Sequence, residues 1–230
     1  MKPEFDRVAQ RYAAFRVGYS PETAATIARE AKGGDVLDVA TGTGLLAHQL
    51  RPLVRRVVGV DVALDMLRAA RVPVAQGAAE RLPFRDGAFD AVTCAQAFHW
   101  VDRPRALAEF RRVTRRGGVV AVVWKYPDAS APYDAMAIRL LGEMTGKPVP
   151  AARLDPPVEL AGARRLEFTW DVPWTVDGYV GFLESRESLR QRAGEKREAW
   201  IAEVRRQLAL LTGGRPFAER NVDALFLIPA

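Results

Sequence analysis

The chain has 230 residues, with 34 Lys and Arg against 28 Asp and Glu for a net charge of +6, and is 49% hydrophobic and 27% charged. Those values belong to a globular protein and exclude a disordered one, and the longest apolar run, Gly117 to Trp124, falls far short of the roughly 20 residues of a membrane-spanning helix. The single cysteine, Cys94, excludes an internal disulfide, and with only two histidines the chain offers no ligand set for structural zinc, so no metal is expected.

In chain order, Asp35 to Ala40 (DVLDVA) reads as a short buried strand running into a Gly-rich turn, and Leu45 to Leu50 follows with helical spacing. Arg56 to Asp61 is a second strand, and Ala63 to Arg71 a helix with Leu64, Leu67 and Ala70 on one side. Val72 to Gln76, Phe89 to Ala95 and Gly118 to Trp124 are predicted as further strands. Before the last of these lies a helix that Asp102 caps, that Pro104 suits in its first turn, and that Gly117-Gly118 ends.

Strands without polar alternation, interleaved with helices, predict a doubly wound α/β fold whose mostly parallel sheet is covered on both faces. Beyond Tyr126 come a helix near Tyr133 to Leu141 and a boundary loop marked by Pro148, Pro150, Pro156 and Pro157. A strand at Arg164 to Val172, helices at Thr175 to Ser185 and Glu195 to Leu211, and a closing strand at Asn221 to Ile228 complete the chain. The second of those helices carries Trp200, Val204, Leu208 and Leu211 as its apolar stripe and stops at Gly213-Gly214. The expected organisation is a core with amino-terminal helices over 1–172, a helical cap over 173–218 above the carboxyl ends of the strands, and a final core strand over 219–230.

The basic residues, 29 of them Arg, fall in scattered pairs such as Arg55-Arg56, Arg111-Arg112, Arg115-Arg116, Arg164-Arg165 and Arg205-Arg206. That pattern predicts solvated helix faces and not a nucleic-acid groove. With no apolar leader in MKPEFDRVAQRY, the expected location is the cytoplasm, away from the membrane.

Chemistry concentrates in Asp38-Val39-Ala40-Thr41-Gly42-Thr43-Gly44, where the first strand passes into a helix. Glycines let a ligand approach the backbone, and the helix amino end favours an anionic group. Asp38 needs a cationic or hydrogen-bonding partner at the end of a buried strand, while Asp61 at the next strand end is set to accept from ribose hydroxyls. Gly42-x-Gly44-x-x-Ala47 with Asp61 also fits a dinucleotide fingerprint, which keeps an NAD-binding oxidoreductase as an alternative. Asp38 weighs against it, since a carboxylate there repels a pyrophosphate and attracts an amino-acid-bearing cofactor.

Further blocks follow in order: Gly77 to Phe84 (GAAERLPF), Phe89-Asp90, Gln96 to Asp102 (QAFHWVD), and Glu109 to Val113 (EFRRV) with Gly117-Gly118. Together with the turn they make the chain resemble class I S-adenosylmethionine (SAM) dependent methyltransferases over about Phe5 to Trp124, and more loosely to the end. The His99-Trp100 pair and FDRVAQRYAAFRVGYS look like the trans-aconitate methyltransferase branch, and LDVATGTG like quinone-biosynthesis methyltransferases.

The resemblance implies a seven-stranded Rossmann-like sheet and SAM as cofactor, with S-adenosylhomocysteine as product. By it, Asp38, Ala40, Gly42 and Gly44 would hold the methionyl end, Asp61 the ribose, Val62 and Met66 one face of adenine, and Ala79 and Glu80 the other side. Gln96 would lie beside the sulfonium. The sequence departs from the family at Ala78, where an acidic residue is often found, and at Ala40, usually glycine.

Tyr12 and Arg16 would close over the cofactor or meet a substrate anion, with amino-terminal helix packing as the competing role. His99 is either a base toward the acceptor or a packed loop residue, whereas His48 is an ordinary helix-face residue. Trp100, Trp124, Tyr126, Trp170 and Trp174 are candidates for the acceptor pocket, with core filling as the competing role for each.

The expected reaction is in-line methyl transfer to a small molecule, of carboxylate, hydroxyl or natural-product type, in a monomer or homodimer. An RNA or tRNA methyltransferase and a non-catalytic SAM-binding protein compete with that expectation.

Overall fold

A computed structural model describes residues 15–149 and 156–230, so the expectations at Tyr12 and Pro150 lie outside the described residues. Seven strands form one sheet in the order β3-β2-β1-β4-β5-β7-β6. They are β1 (Asp35–Val39), β2 (Arg56–Asp61), β3 (Val74–Gln76), β4 (Phe89–Ala95), β5 (Thr114–Pro127), β6 (Arg164–Trp174) and β7 (Phe217–Pro229). β1 to β5 are mutually parallel, whereas β7 runs antiparallel to both β5 and β6. The strand order reverses between β1 and β4, and the crevice above that reversal is where such sheets hold ligands.

The helices are α1 (Pro21–Glu30), α2 (Leu45–Leu50), α3 (Leu64–Ala69), α4 (Arg103–Val113), α5 (Pro132–Thr145), α6 (Val176–Glu184), α7 (Glu187–Ala193) and α8 (Arg197–Thr212). The central strands are apolar on both sides over most of their length because the two sides feed two cores. Val119, Ala121 and Val123 of β5 pack with Ile27 of α1 and Leu46 and Leu50 of α2. Val120, Val122 and Trp124 point the other way, toward Leu107, Phe110 and Val113 of α4. A third cluster, centred on Trp200, Val204, Leu208, Tyr179 and Leu183, joins α5 to α6, α7 and α8 beyond the ends of β6 and β7.

Several elements differ from expectation. Gly117-Gly118 does not end α4, which stops at Val113; the glycines sit inside β5. Pairing with β4 jumps there from Phe89↔Thr114 to Ala91↔Val119, a bulge that Gly117 permits with φ +77°. β3 begins at Val74 because Pro73 has no N–H for the ladder and supplies only its carbonyl, to the Gly59 N–H at 2.9 Å.

Leu64 is largely exposed, leaving Leu67 as the one buried residue of α3. On α8 the stripe continues by fours to Thr212, and Leu211 faces solvent. One helix, α7, goes beyond the predicted set; in the amino-terminal region α1 is capped by Ser20, whose Oγ accepts the Thr23 N–H at 3.0 Å, and holds Pro21 in its first turn. No helix among the described residues is long and apolar enough to cross a membrane.

Candidate functional site

The carboxyl ends of β1, β2 and β4 open into a cavity of ≈ 420 Å³, within the range of small-molecule sites. Asp38, the fourth residue of β1, is 1% exposed and lines it. Its Oδ2 accepts from Thr41 Oγ1 and its Oδ1 from Thr93 Oγ1, both at 2.6 Å. Gly59 on β2 makes room for this arrangement, since a Cβ there would come within 2.6 Å of Thr41 Cγ2. Burial pushes the Asp38 pKa up to about 6, against the two hydroxyls, and the charge of Asp61 raises it further. Among the described residues Asp38 makes no ion pair: its partners are the two hydroxyls and the backbone of Ala47.

Asp61 ends β2 and holds the turn. Its Oδ2 accepts the Gly42 N–H and its Oδ1 the Ala63 N–H, each at 2.8 Å. A carboxylate has about four lone-pair positions, so both aspartates keep acceptor capacity toward the cavity. Gly42 has φ +56° and open space where a Cβ would stand. Gly44 is left-handed at φ +79° and sits against Ala70; it opens α2 and is not part of the cavity wall.

Ala40 (φ +53°) and Gln96 (φ +56°) are non-glycine residues in the left-handed region, one at the end of β1 and one at the end of β4. Both line the cavity. Such strained conformations persist only where the surroundings enforce them. For Gln96 the enforcement is visible: its N–H donates to Val123 O at 2.8 Å and its Nε2 to Lys125 O.

Val62, Met66, Ala79 and Glu80 also line the cavity. Glu80 also accepts the Asp102 N–H at 2.9 Å. The nearby EFRRV block turns out to be a brace. Glu109 accepts the Leu82 N–H at 2.8 Å, and Arg112 bridges Glu109, Asp86 and the carbonyls of Leu82 and Phe84, which pins the loop after Glu80 to α4. Thr41, Thr43 and Tyr19 also line the cavity, and none of the three is among the predicted site residues. The Thr43 Oγ1 is buried and has no hydrogen-bond partner.

Of the aromatic candidates only Trp100 reaches the cavity, as an 80% exposed residue at its rim. Trp124 is core, edge-on to Phe98 and Phe226. The Tyr126 hydroxyl donates to Glu167 Oε1 at 3.1 Å, and Trp170 Nε1 to Asp223 Oδ1 at 3.2 Å. Trp174 packs on Tyr179 and Phe182.

Arg16 donates to Ser185 O at 3.0 Å and lies over the Phe182 ring, on the helical layer and outside the cavity wall. His99 is also outside that wall: its Nδ1 accepts from Trp124 Nε1 at 3.3 Å, so the neutral ring carries its proton on Nε2. Desolvation holds its pKa below the usual histidine value. His48 is an exposed residue of α2.

The sheet, with a carboxylate-lined cavity at its reversal point, defines a Rossmann-like α/β protein. The family described as "Methyltransferase domain" matches residues 37–122. An uncharacterised methyltransferase of Mycobacterium tuberculosis (strain ATCC 25618 / H37Rv) is 32% identical over 217 residues, covering 91% of this chain and 87% of that one. Demethylmenaquinone methyltransferase of Deinococcus radiodurans is 40% identical over 113 residues, 44% of this chain and 47% of the relative. A solved protein of Anaeromyxobacter dehalogenans, provisionally described as a type II methyltransferase, superposes with a TM-score of 0.68 at 28% identity, over 93% of this chain and 97% of that one. The chain belongs to the class I SAM-dependent methyltransferase family.

Proposed function

We propose that this cavity binds SAM and that the chain transfers its methyl group to a small-molecule acceptor. One observation carries the reading: a buried carboxylate, Asp38, faces the cavity with hydroxyl partners and, among the described residues, no protein cation, which leaves its charge for a ligand ammonium. The orphaned Thr43 hydroxyl supports the fit, as a donor for the cofactor's own carboxylate. Asp61 would hold ribose hydroxyls, and Val62, Met66 and Ala79 would sandwich the base.

When bound, SAM supplies an electrophilic methyl on a sulfonium that leaves as a neutral thioether. The protein's part is positioning: Asp38 and Gln96 fix the methionyl end, and the braced loop after Glu80 fixes the adenosyl end. His99 Nδ1 is engaged by Trp124, which favours an acceptor already ionised at neutral pH, a carboxylate first among them. Many of the arginine pairs that raise the nucleic-acid alternative are engaged by carboxylates, as with Arg55 and Arg56 on Asp35, Arg112 on Glu109, and Arg206 on Glu203.

Calorimetry with SAM, S-adenosylhomocysteine and NAD tests the cofactor. Binding of the first two and not the third is expected; NAD binding without SAM binding overturns the proposal. Labelled SAM in a cell extract then tests the acceptor: label in a low-molecular-weight fraction is expected, and label in RNA would replace the small-molecule reading.

A further inference from the structure

Residues 16–20 run past the cavity with no helix or strand of their own, so their backbone groups need side-chain partners. The main ones come from a cross-strand pair, Lys125 on β5 opposite Asp223 on β7. Lys125 Nζ donates to the carbonyls of Val17 and of Gly18, the latter at 2.7 Å, and stands over the Tyr19 ring at 5.4 Å. Asp223, fully buried, accepts the Ser20 N–H at 2.6 Å and the Thr23 hydroxyl at 2.8 Å.

From the α2 side Gln49 closes a two-way amide pair with the Tyr19 backbone, both bonds at 2.7 Å. Gly18 has no room for a side chain here, since a Cβ would stand 2.4 Å from Gln49 Oε1. The result of this enclosure is that Tyr19, 6% exposed, forms a wall of the same cavity as Asp38. The Lys125 carbonyl meanwhile accepts from Gln96, a second cavity residue.

We infer that Lys125 and Asp223 are positioning residues: they clasp segment 17–20 to the sheet, set Tyr19 as a wall of the cofactor site, and through the Lys125 carbonyl fix Gln96 as well. The inference rests on the cofactor reading above. Lys125 touches neither reactant; the effect of its side chain reaches the ligand through Tyr19. A buried ammonium replaced by Met sheds its desolvation cost, which offsets part of the lost hydrogen bonding, so affinity and stability need not change together.

The test combines amide exchange at Tyr19 and Ser20 with S-adenosylhomocysteine affinity in a double-mutant cycle. Lys125→Met is expected to speed exchange at both amides at least tenfold, to weaken binding about tenfold, and to add little on a Tyr19→Ala background. Asp223→Asn and Gly18→Ala, which loosen the segment from its other sides, are expected to act in the same direction and carry the test if Lys125→Met does not fold. Faster exchange with parental affinity would show a segment held for stability alone, and additive losses in the cycle would show that Lys125 does not act through Tyr19; either result overturns the inference. If the parent itself does not bind S-adenosylhomocysteine, the cofactor reading falls first and takes the inference with it.

Discussion

One strand presents two buried carboxylates, and the protein treats them in opposite ways. Asp35 opens β1 and is 4% exposed; Arg55 reaches it at 2.7 Å, Arg56 at 3.1 Å and Arg115 at 3.6 Å. Neighbouring Asp90 is desolvated too, yet its hydrogen bonds to Arg115 and the Asp35 N–H outweigh that and hold its pKa below the usual value. Asp38, three residues along, receives two hydroxyls and no cation among the described residues, and its pKa climbs to about 6. Among the described residues, the carboxylates at the amino end of the sheet are paired with arginines, while Asp38 at the carboxyl end has no cation. Asp35 is neutralised within the fold; Asp38, left without a cation beside a cavity, is the carboxylate a cationic ligand would compensate under the proposed function.

The sharpest way to break this contrast is to neutralise each end in turn. Asp38→Asn keeps a side chain able to bond both threonine hydroxyls and removes only the charge. S-adenosylhomocysteine affinity is expected to fall about a hundredfold, the ~3 kcal/mol of a charge-assisted hydrogen bond, with the melting temperature held or raised. Calorimetry and a thermal melt on one sample suffice; unchanged affinity with a lowered melt would make Asp38 a second Asp35. The mirror experiment, Asp35→Asn, is expected to cost about 1–2 kcal/mol of stability and to leave cofactor affinity within twofold. A loss of affinity with no change in the denaturation midpoint would erase the distinction between the two ends.

Titration sharpens the contrast further. Asp38 has its folded pKa raised from 3.8 to about 6, so between those values the folded state binds more protons than the unfolded one. Its contribution to stability therefore declines as pH rises through that window. Binding follows the opposite course, because the ligand ammonium needs the ionised form. Affinity is expected to level off above pH 6 and to drop about tenfold for each unit below it, with the slope absent in Asp38→Asn. A pH-independent affinity from 5 to 7 in the parent would remove Asp38 from the ligand's contacts.

The two ends also differ in how far the sequence reveals them. The strands around both are legible because a strand covered on both faces must be apolar at consecutive positions, and DVLDVA, RVVGVD and FDAVTCA have that form. The turn and its aspartates are legible because glycines and a carboxylate at a strand end have few other uses. What has no local signal is pairing. Thr93 meets Asp38 only because β1 and β4 align in the register Asp38↔Thr93, and Arg115 on β5 meets Asp35 only by reaching past β4.

The aromatic residues mislead for a related reason. Trp124 continues the alternation of Val120 and Val122 into the α4 core, a fact fixed by which face of β5 turns inward and not by composition. Trp174 packs on Tyr179 and Phe182 of α6, and Arg16 meets Ser185, a partner distant in sequence; both belong to the helical layer. Tyr19 carries no signal of its own, because its place in the wall depends on a clasp formed from β5 and β7.

Backbone strain gives the smallest handle on the same comparison. Ala40 stands where a left-handed φ of +53° is required, a conformation that costs a non-glycine residue about 1–2 kcal/mol. Glycine would remove that strain but lose about 0.5–1 kcal/mol to the greater freedom of the unfolded chain. Ala40→Gly is thus expected to raise stability by less than ~1 kcal/mol, a melting shift of up to about 2–4 °C for a chain of this size. Cofactor affinity is expected to stay within threefold, since the cavity keeps both carboxylates and the Ala40 methyl carries no polar contact. Gln96 is not open to the same relief: its φ of +56° is paired with a side-chain bond to Lys125 O, so Gln96→Gly is expected to lose affinity even where it sheds strain. If Ala40→Gly instead lowers the melt, the turn after β1 is not under strain, and what marks the carboxyl end as a binding site reduces to its missing charge.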